Sequence, residues 1–168
     1  MSYQVHRDSA EPIVARCAII TLSDTRTTDT DASGAKIRDL LAAQGHAVVS
    51  YELIPDDAER LDKMLLELEA REDVDVILTN GGTGIARRDN TVPVIGRHLT
   101  TLLPGFGELF RMLSFEQIGS AAMLSCALGG VAGGKLLFAM PGSTRAVELA
   151  MTRLILPELR HLLWELRR

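Results

Sequence analysis

Two cysteines, seven aromatic residues and no apolar run near membrane-spanning length define what this 168-residue chain does without. Cys17 and Cys126 cannot form a disulfide framework, so a reducing, cytoplasmic setting is expected. The opening residues Met1 to Asp8 carry no apolar signal-peptide core, in line with that setting. A membrane span needs about 18 apolar residues in a row, and none is present. Seven aromatics are too few for a base-stacking platform, and no block of five like charges occurs, so no nucleic-acid partner is expected. The histidines (His6, His46, His98 and His161) lack metal-ligand spacing and there is no Cys/His cluster, so no zinc site is expected. The Gly-Lys-Ser/Thr of a P-loop, the G-x-G-x-x-G dinucleotide fingerprint and the G-x-S-x-G nucleophile elbow are all missing.

What remains is ordinary globular material: 46% apolar and 24% charged. A chain of this size hides roughly 70% of its unfolded surface on folding. The net charge of −4 is unevenly spread: residues 1–75 carry −8 and residues 76–168 carry +4. Twelve of the 14 glycines lie at or after Gly81. A glycine-rich, cationic half suits an anion site, phosphate being the commonest anion.

Residues 1–12 read as a loose arm, and residues 13–168 as one domain. Val14–Leu22 is nearly all apolar, as in a strand buried on both faces. A polar loop, Ser23 to Asp31, follows. Ser33 can cap a helix with Ile37, Leu40 and Leu41 on its inner face, ended by Gly45. His46–Ile54 reads as a second strand. Asp56 with Glu59 resembles a capping box before the stripe Leu61, Met64, Leu65 and Leu68. Val74–Thr79 is a third strand, running into Asn80-Gly81-Gly82-Thr83-Gly84. A short helix is expected over Val92–Leu103. Gly105 and Gly107 are expected to break the chain before another helix at Glu108–Ile118. Met123–Leu128 and Leu136–Met140 read as strands separated by the glycine-rich connection Gly129 to Gly134. Pro141-Gly142-Ser143 opens a long helix kinked at Pro157. The alternation predicts a three-layer α/β domain, with a mainly parallel sheet and helices on both faces.

Such sheets bind ligands at the carboxyl ends of their strands. Four loops with distinctive chemistry fall there: Ser23-Asp24, Ile54-Pro55-Asp56, Asn80 to Asp89, and Pro141-Gly142-Ser143. Each residue has two readings. Gly81 to Gly84 form either a tight turn or a cradle that turns N–H groups toward an anion. Arg87-Arg88-Asp89 is either a solvated pair with a helix cap, or two cations for phosphate and a carboxylate for Mg²⁺. Asp56 caps a helix or faces a metal, and Asp24 shapes a turn or contributes to the same site. Glu108 either complements a helix dipole or accepts from the donor edge of a heterocycle. Ser125 and Ser143 are a strand serine and an N-cap, or phosphate ligands.

Taken in order, Ser23-Asp24, Asp31-Ala32-Ser33-Gly34, Ile54-Pro55-Asp56, Thr79-Asn80-Gly81-Gly82-Thr83-Gly84 with Arg87-Arg88-Asp89, Pro104-Gly105-Phe106-Gly107-Glu108 and Pro141-Gly142-Ser143 resemble the MoaB/MogA family. These molybdenum cofactor biosynthesis proteins are related to the gephyrin G domain, and the likeness spans residues 14–165. Phe110 to Gly119 looks like the MoaB branch. The resemblance implies that MgATP adenylylates molybdopterin and releases pyrophosphate. It assigns Asp56 and Asp89 to the essential carboxylates and to Mg²⁺. It assigns Ser23, Asp24, Thr79, Gly81, Gly82, Thr83, Gly84, Arg88, Gly105, Gly107, Glu108, Ser125, Pro141, Gly142 and Ser143 to substrate and nucleotide binding. It also implies homotrimers, sometimes paired into hexamers, and the apolar residues Phe106, Leu109, Phe110, Met112, Leu113 and Phe115 mark a candidate contact. Asn80 replaces a family Thr, Val92 a family Pro (with Pro93 one later), and Cys126 a family Arg. Three functions are weighed: a molybdopterin adenylyltransferase, a non-catalytic molybdopterin carrier, and a Rossmann-type dinucleotide enzyme, which the absent fingerprint disfavours.

Overall fold

The computed structural model describes residues 13–86 and 89–168; the expected N-terminal arm and the Arg87-Arg88 pair lie outside the described residues. The strands are β1 (Arg16–Leu22), β2 (Ala47–Ile54), β3 (Val76–Asn80), β4 (Thr101–Leu102), β5 (Leu128–Ala132) and β6 (Lys135–Met140). The helices are α1 (Ala32–Ala43), α2 (Ala58–Ala70), α3 (Thr91–His98), α4 (Pro104–Ile118), α5 (Thr144–Ala150) and α6 (Leu156–Leu166). The sheet order is β2-β1-β3-β6-β5-β4. β2, β1, β3 and β6 run parallel, and β5 and β4 are added antiparallel at one side.

Strand periodicity sends alternate residues to two cores. Cys17, Ile19, Val76, Leu78, Phe138 and Met140 meet α1, α4, α5 and α6 on one face. Ala18, Ile20, Leu22, Ile77, Leu137 and Ala139 meet α2 and α3 on the other. The continuous apolar runs of the central strands are therefore a consequence of burial on both sides. The three-layer, mainly parallel reading holds.

Several local expectations are corrected. Asp31, not Ser33, caps α1, its carboxylate accepting from the Gly34 amide at 3.1 Å. Asp57, not Asp56, caps α2, accepting from the Arg60 amide at 2.8 Å. The helix expected over Val92–Leu103 stops at His98, and the edge strand β4 follows. Gly105 and Gly107 do not break the chain, because Pro104 starts α4 and both glycines lie in its first turn. Met123–Leu128 is not a strand. Gly119–Leu124 is a 3₁₀ helix that leaves Met123 and Leu124 exposed. The strand is β5, glycines included, because a Cβ on Gly129 would press on the Phe138 and Phe106 rings and one on Gly130 on the Thr101 carbonyl. Gly133 and Gly134, at φ +55° and +74°, make the two-residue hairpin to β6. The kink at Pro157 is expressed as a π-helical stretch, Met151–Ile155, where the proline cannot donate to the preceding turn.

At the sheet end away from the strand-end loops, the buried Asp75 carboxylate accepts from the Arg16 amide (3.0 Å) and from the Arg16 guanidinium (2.9 and 2.8 Å). The Arg167 guanidinium adds a bond at 2.8 Å. Burial alone would raise the Asp75 pKa, but the two arginines and the amide outweigh it and bring it down to about 2. A depressed carboxylate pKa adds stability above the unfolded value of about 3.9, lost as pH falls toward 2. Asp75→Asn is thus expected to cost on the order of 2 kcal/mol at pH 7. In urea denaturation the gap from wild type should shrink between about pH 4 and pH 2; a pH-independent gap would show that Asp75 acts by packing alone.

Candidate functional site

Because β1, β2, β3 and β6 are parallel, their carboxyl ends share one edge, and four loops converge there. They enclose a crevice of about 410 Å³. Of the residues singled out from sequence, Ser23, Asp24, Asp56, Gly81, Gly82, Thr83, Gly84, Asp89, Pro141 and Gly142 line it.

The loops touch backbone to backbone. The Gly81 amide donates to the Met140 carbonyl at 3.1 Å. Gly81 has φ +100°, and a Cβ there would run into the Leu22 carbonyl oxygen. A Cβ on Gly142 would come 3.0 Å from the Gly81 Cα. Only glycine allows this approach. The Thr91 hydroxyl donates to the Gly81 carbonyl at 2.9 Å, and the Thr91 amide to the Gly82 carbonyl at 3.1 Å, so the start of α3 braces the loop.

The two carboxylates lean on this glycine loop. A Cβ on Gly82 would lie 2.6 and 3.0 Å from the Asp56 carboxylate oxygens, and one on Gly84 2.5 Å from Asp89 Oδ2. Asp89 is not the helix cap: Asn90 holds that position, and Asp89 Oδ2 accepts from the Ala86 amide at 2.8 Å. Asp24 joins the group by accepting from the Asp56 amide at 3.0 Å. Among the described residues, no group of three or more His, Cys, Asp or Glu is arranged to hold a metal. Mg²⁺ ordinarily takes only one or two protein carboxylates and completes its shell with phosphate oxygens and water. Asp56 and Asp89, both at the glycine loop, suit that mode better than an all-protein cage.

The remaining candidates lie elsewhere. Thr79 is buried within β3. Arg88 is outside the described residues. Ser125 and Ser143 line a second cavity, of about 620 Å³, with Arg145 and Arg153, and Pro141 belongs to both cavities. Ser143 caps α5 by accepting from the Ala146 amide at 3.2 Å. Gly105, Gly107 and Glu108 do not line the crevice. Gly107 lets α4 approach the Ala127 carbonyl, 2.7 Å from where a Cβ would sit. Gly105 borders an apolar hollow with Phe106 and Leu109, and Glu108 is exposed on α4 beyond its first turn, which holds no acidic residue to complement the dipole. Cys126 is half-buried and does not border the crevice.

Sequence reasoning passed over Arg26, which lines the crevice. Its guanidinium donates to the Gly142 carbonyl at 3.0 Å and to Asp31 at 3.3 Å. Asp31 also accepts from the Tyr51 hydroxyl at 2.6 Å. Burial works to raise the Asp31 pKa, but bonds from Thr21, Tyr51 and the Gly34 amide, with Arg26 nearby, hold it below the usual carboxylate range. Burial and the Asp31 carboxylate push the Tyr51 phenol up to about 12. The clue to Arg26 was an arginine three residues after Ser23, but its partners lie five and 116 residues away.

A family model described as "Probable molybdopterin binding domain" matches residues 18–161. The chain is 53% identical over 169 residues to molybdenum cofactor biosynthesis protein B of Bacillus anthracis, covering 100% of this chain and 99% of that one. It is 47% identical, with the same coverage, to the Bacillus subtilis protein of that name. A crystal structure of a molybdenum cofactor biosynthesis protein B superposes with TM-score 0.91 at 54% identity, covering 94% of this chain and 98% of that one. The tungsten cofactor synthesizing protein MoaB from Pyrococcus furiosus superposes with TM-score 0.83 at 34% identity, covering 94% and 99%.

Proposed function

The chain belongs to the MoaB branch of the molybdopterin-binding family of molybdenum cofactor biosynthesis proteins, and from that premise we propose that it adenylylates molybdopterin with MgATP at the strand-end crevice, releasing pyrophosphate. The observation that carries this reading is the placement of both Asp56 and Asp89 against glycines of one loop at one sheet edge. A site that only bound the pterin phosphate would need donors, not two carboxylates.

Nucleotidyl transfer asks little covalent chemistry of a protein; it asks for positioning and for stabilised charge. Gly82 to Gly84 offer backbone N–H groups at close range, the Gly81 amide being held by the Met140 carbonyl. Asp56 and Asp89 would hold Mg²⁺, which when bound supplies charge neutralisation on the phosphates. Gly142, tied to Arg26 and Ser33, fixes the facing wall. The test is pyrophosphate release: it should require molybdopterin, ATP and Mg²⁺ together. Molybdopterin binding with no pyrophosphate release would favour the carrier reading instead.

Self-association belongs to the same proposal. Phe106, Phe110 and Leu113, counted from sequence in an outward patch, turn into the core. Leu109, Met112, Phe115, Ile118, Met123 and Leu124 stay exposed along α4 and the 3₁₀ helix. So much apolar surface in one segment favours association. Light scattering at micromolar concentration should give a trimer or hexamer; a monomer would contradict it. Among the described residues no helix is long and apolar enough to cross a membrane.

A further inference from the structure

Asp24, Asp56 and Asp89 line the crevice, and among its described lining residues Arg26 supplies the cationic side chain. A polyphosphate or phosphate monoester entering beside three carboxylates needs fixed positive charge. One terminal nitrogen of Arg26 donates to Asp31, whose side chain is fully buried, and the other to the Gly142 carbonyl. A guanidinium has five N–H groups, so these two bonds orient the plane and leave further donors available. The side chain remains 31% exposed.

The mount is specific. Tyr51 donates to Asp31 Oδ2 at 2.6 Å, while the Gly34 amide donates to Oδ1 at 3.1 Å. A Cβ on Gly34 would strike Asp31 and sit 2.7 Å from the Tyr51 ring, so this glycine is what admits both side chains. Ser33 donates to the same Gly142 carbonyl at 2.8 Å, which ties α1 to the loop before α5. Asp31-Ala32-Ser33-Gly34 is thus the back of the crevice wall as well as the start of a helix.

We propose that Arg26 is a phosphate-orienting residue of the crevice, and that Asp31 and Tyr51 are positioning residues that hold its guanidinium toward a phosphate oxyanion. The inference rests on reading the crevice as a phosphate-handling site. The phosphate can be carried by the nucleotide or by the pterin.

The experiment is calorimetric titration of wild type, Arg26→Ala, Arg26→Lys, Tyr51→Phe and the Arg26→Ala/Tyr51→Phe double variant. The probes are MgATP, molybdopterin and adenosine, and circular dichroism checks that each variant is folded. Arg26→Ala should weaken one phosphate-bearing probe by about tenfold or more, a charged hydrogen bond having been removed, and leave adenosine unchanged. The weakened probe identifies whose phosphate is held. Lysine should restore only part of the loss, because a point charge cannot serve Asp31, Gly142 and ligand at once. Tyr51→Phe should weaken the same probe by a smaller factor in wild type and not at all once Arg26 is gone. Equal affinities in wild type and Arg26→Ala would overturn the proposal. So would a Tyr51→Phe effect of the same size in both backgrounds, since the network would then be merely structural. A wild type that shows Arg26-dependent phosphate binding but forms no adenylylated pterin would support this inference and overturn adenylyl transfer.

Discussion

Asp89→Asn is expected to lower adenylyl transfer by about a hundredfold or more, the usual scale for losing an electrostatic stabiliser of developing charge, while molybdopterin still binds. Asparagine can keep the bond from the Ala86 amide that closes the loop, seen at 2.8 Å with aspartate. The substitution therefore removes charge and little shape. Asp56→Asn should behave alike, and the structure sharpens that case. Asp57, not Asp56, caps α2, so the loss cannot be put down to a frayed helix. Urea denaturation should show both variants within about 0.5 kcal/mol of wild type. Wild-type turnover in both variants would refute the role given to the pair and leave the carrier reading standing.

Gly81→Ala should damage both fold and site. A residue with a side chain at φ +100° costs about 1–3 kcal/mol in backbone strain. The new Cβ would also meet the Leu22 carbonyl at the end of β1, a strand buried along nearly its whole length. Either β1 or the glycine loop must move, and Asp56 and Asp89 both depend on that loop. The expected outcome is a lowered urea midpoint and loss of nucleotide binding. Gly96→Ala is the control. It lies in α3, where an added Cβ would meet nothing within 4 Å beyond its chain neighbours and the helix's own backbone, so alanine should be neutral or stabilise by up to about 1 kcal/mol. Equal behaviour of the two variants would contradict the close approach described for Gly81.

The sheet was legible because the central strands are buried on both faces, leaving unbroken apolar runs in the sequence. The crevice was legible because parallel strands bring their carboxyl ends together, so Ser23, Asp56, Gly81 and Gly142 could be grouped without knowing the packing. Helix caps were read one or two residues off. Asp56 and Asp57 are equally good acceptors on paper, and Ser33 is drawn from α1's end by the Gly142 carbonyl 109 residues later. Met123–Leu128 failed for a different reason: apolarity was taken as burial, whereas Met123 is 81% exposed. Gly129 and Gly130 read as a connection in sequence because their place in β5 is decided by Phe138, Phe106 and Thr101, which local pattern does not show. Arg26 left little trace, since its meaning comes from Gly142 and from a buried Asp31 held by Tyr51.

A single-turnover experiment bears most directly on the central claim. Protein in excess over molybdopterin is mixed with Mg²⁺ and ATP labelled at the α-phosphate, and the pterin is separated and counted. Adenylyl transfer at the crevice predicts one α-phosphate on each pterin, with one pyrophosphate released, and loss of the signal in Asp89→Asn. Pterin that stays bound but unlabelled, with ATP intact, would contradict it.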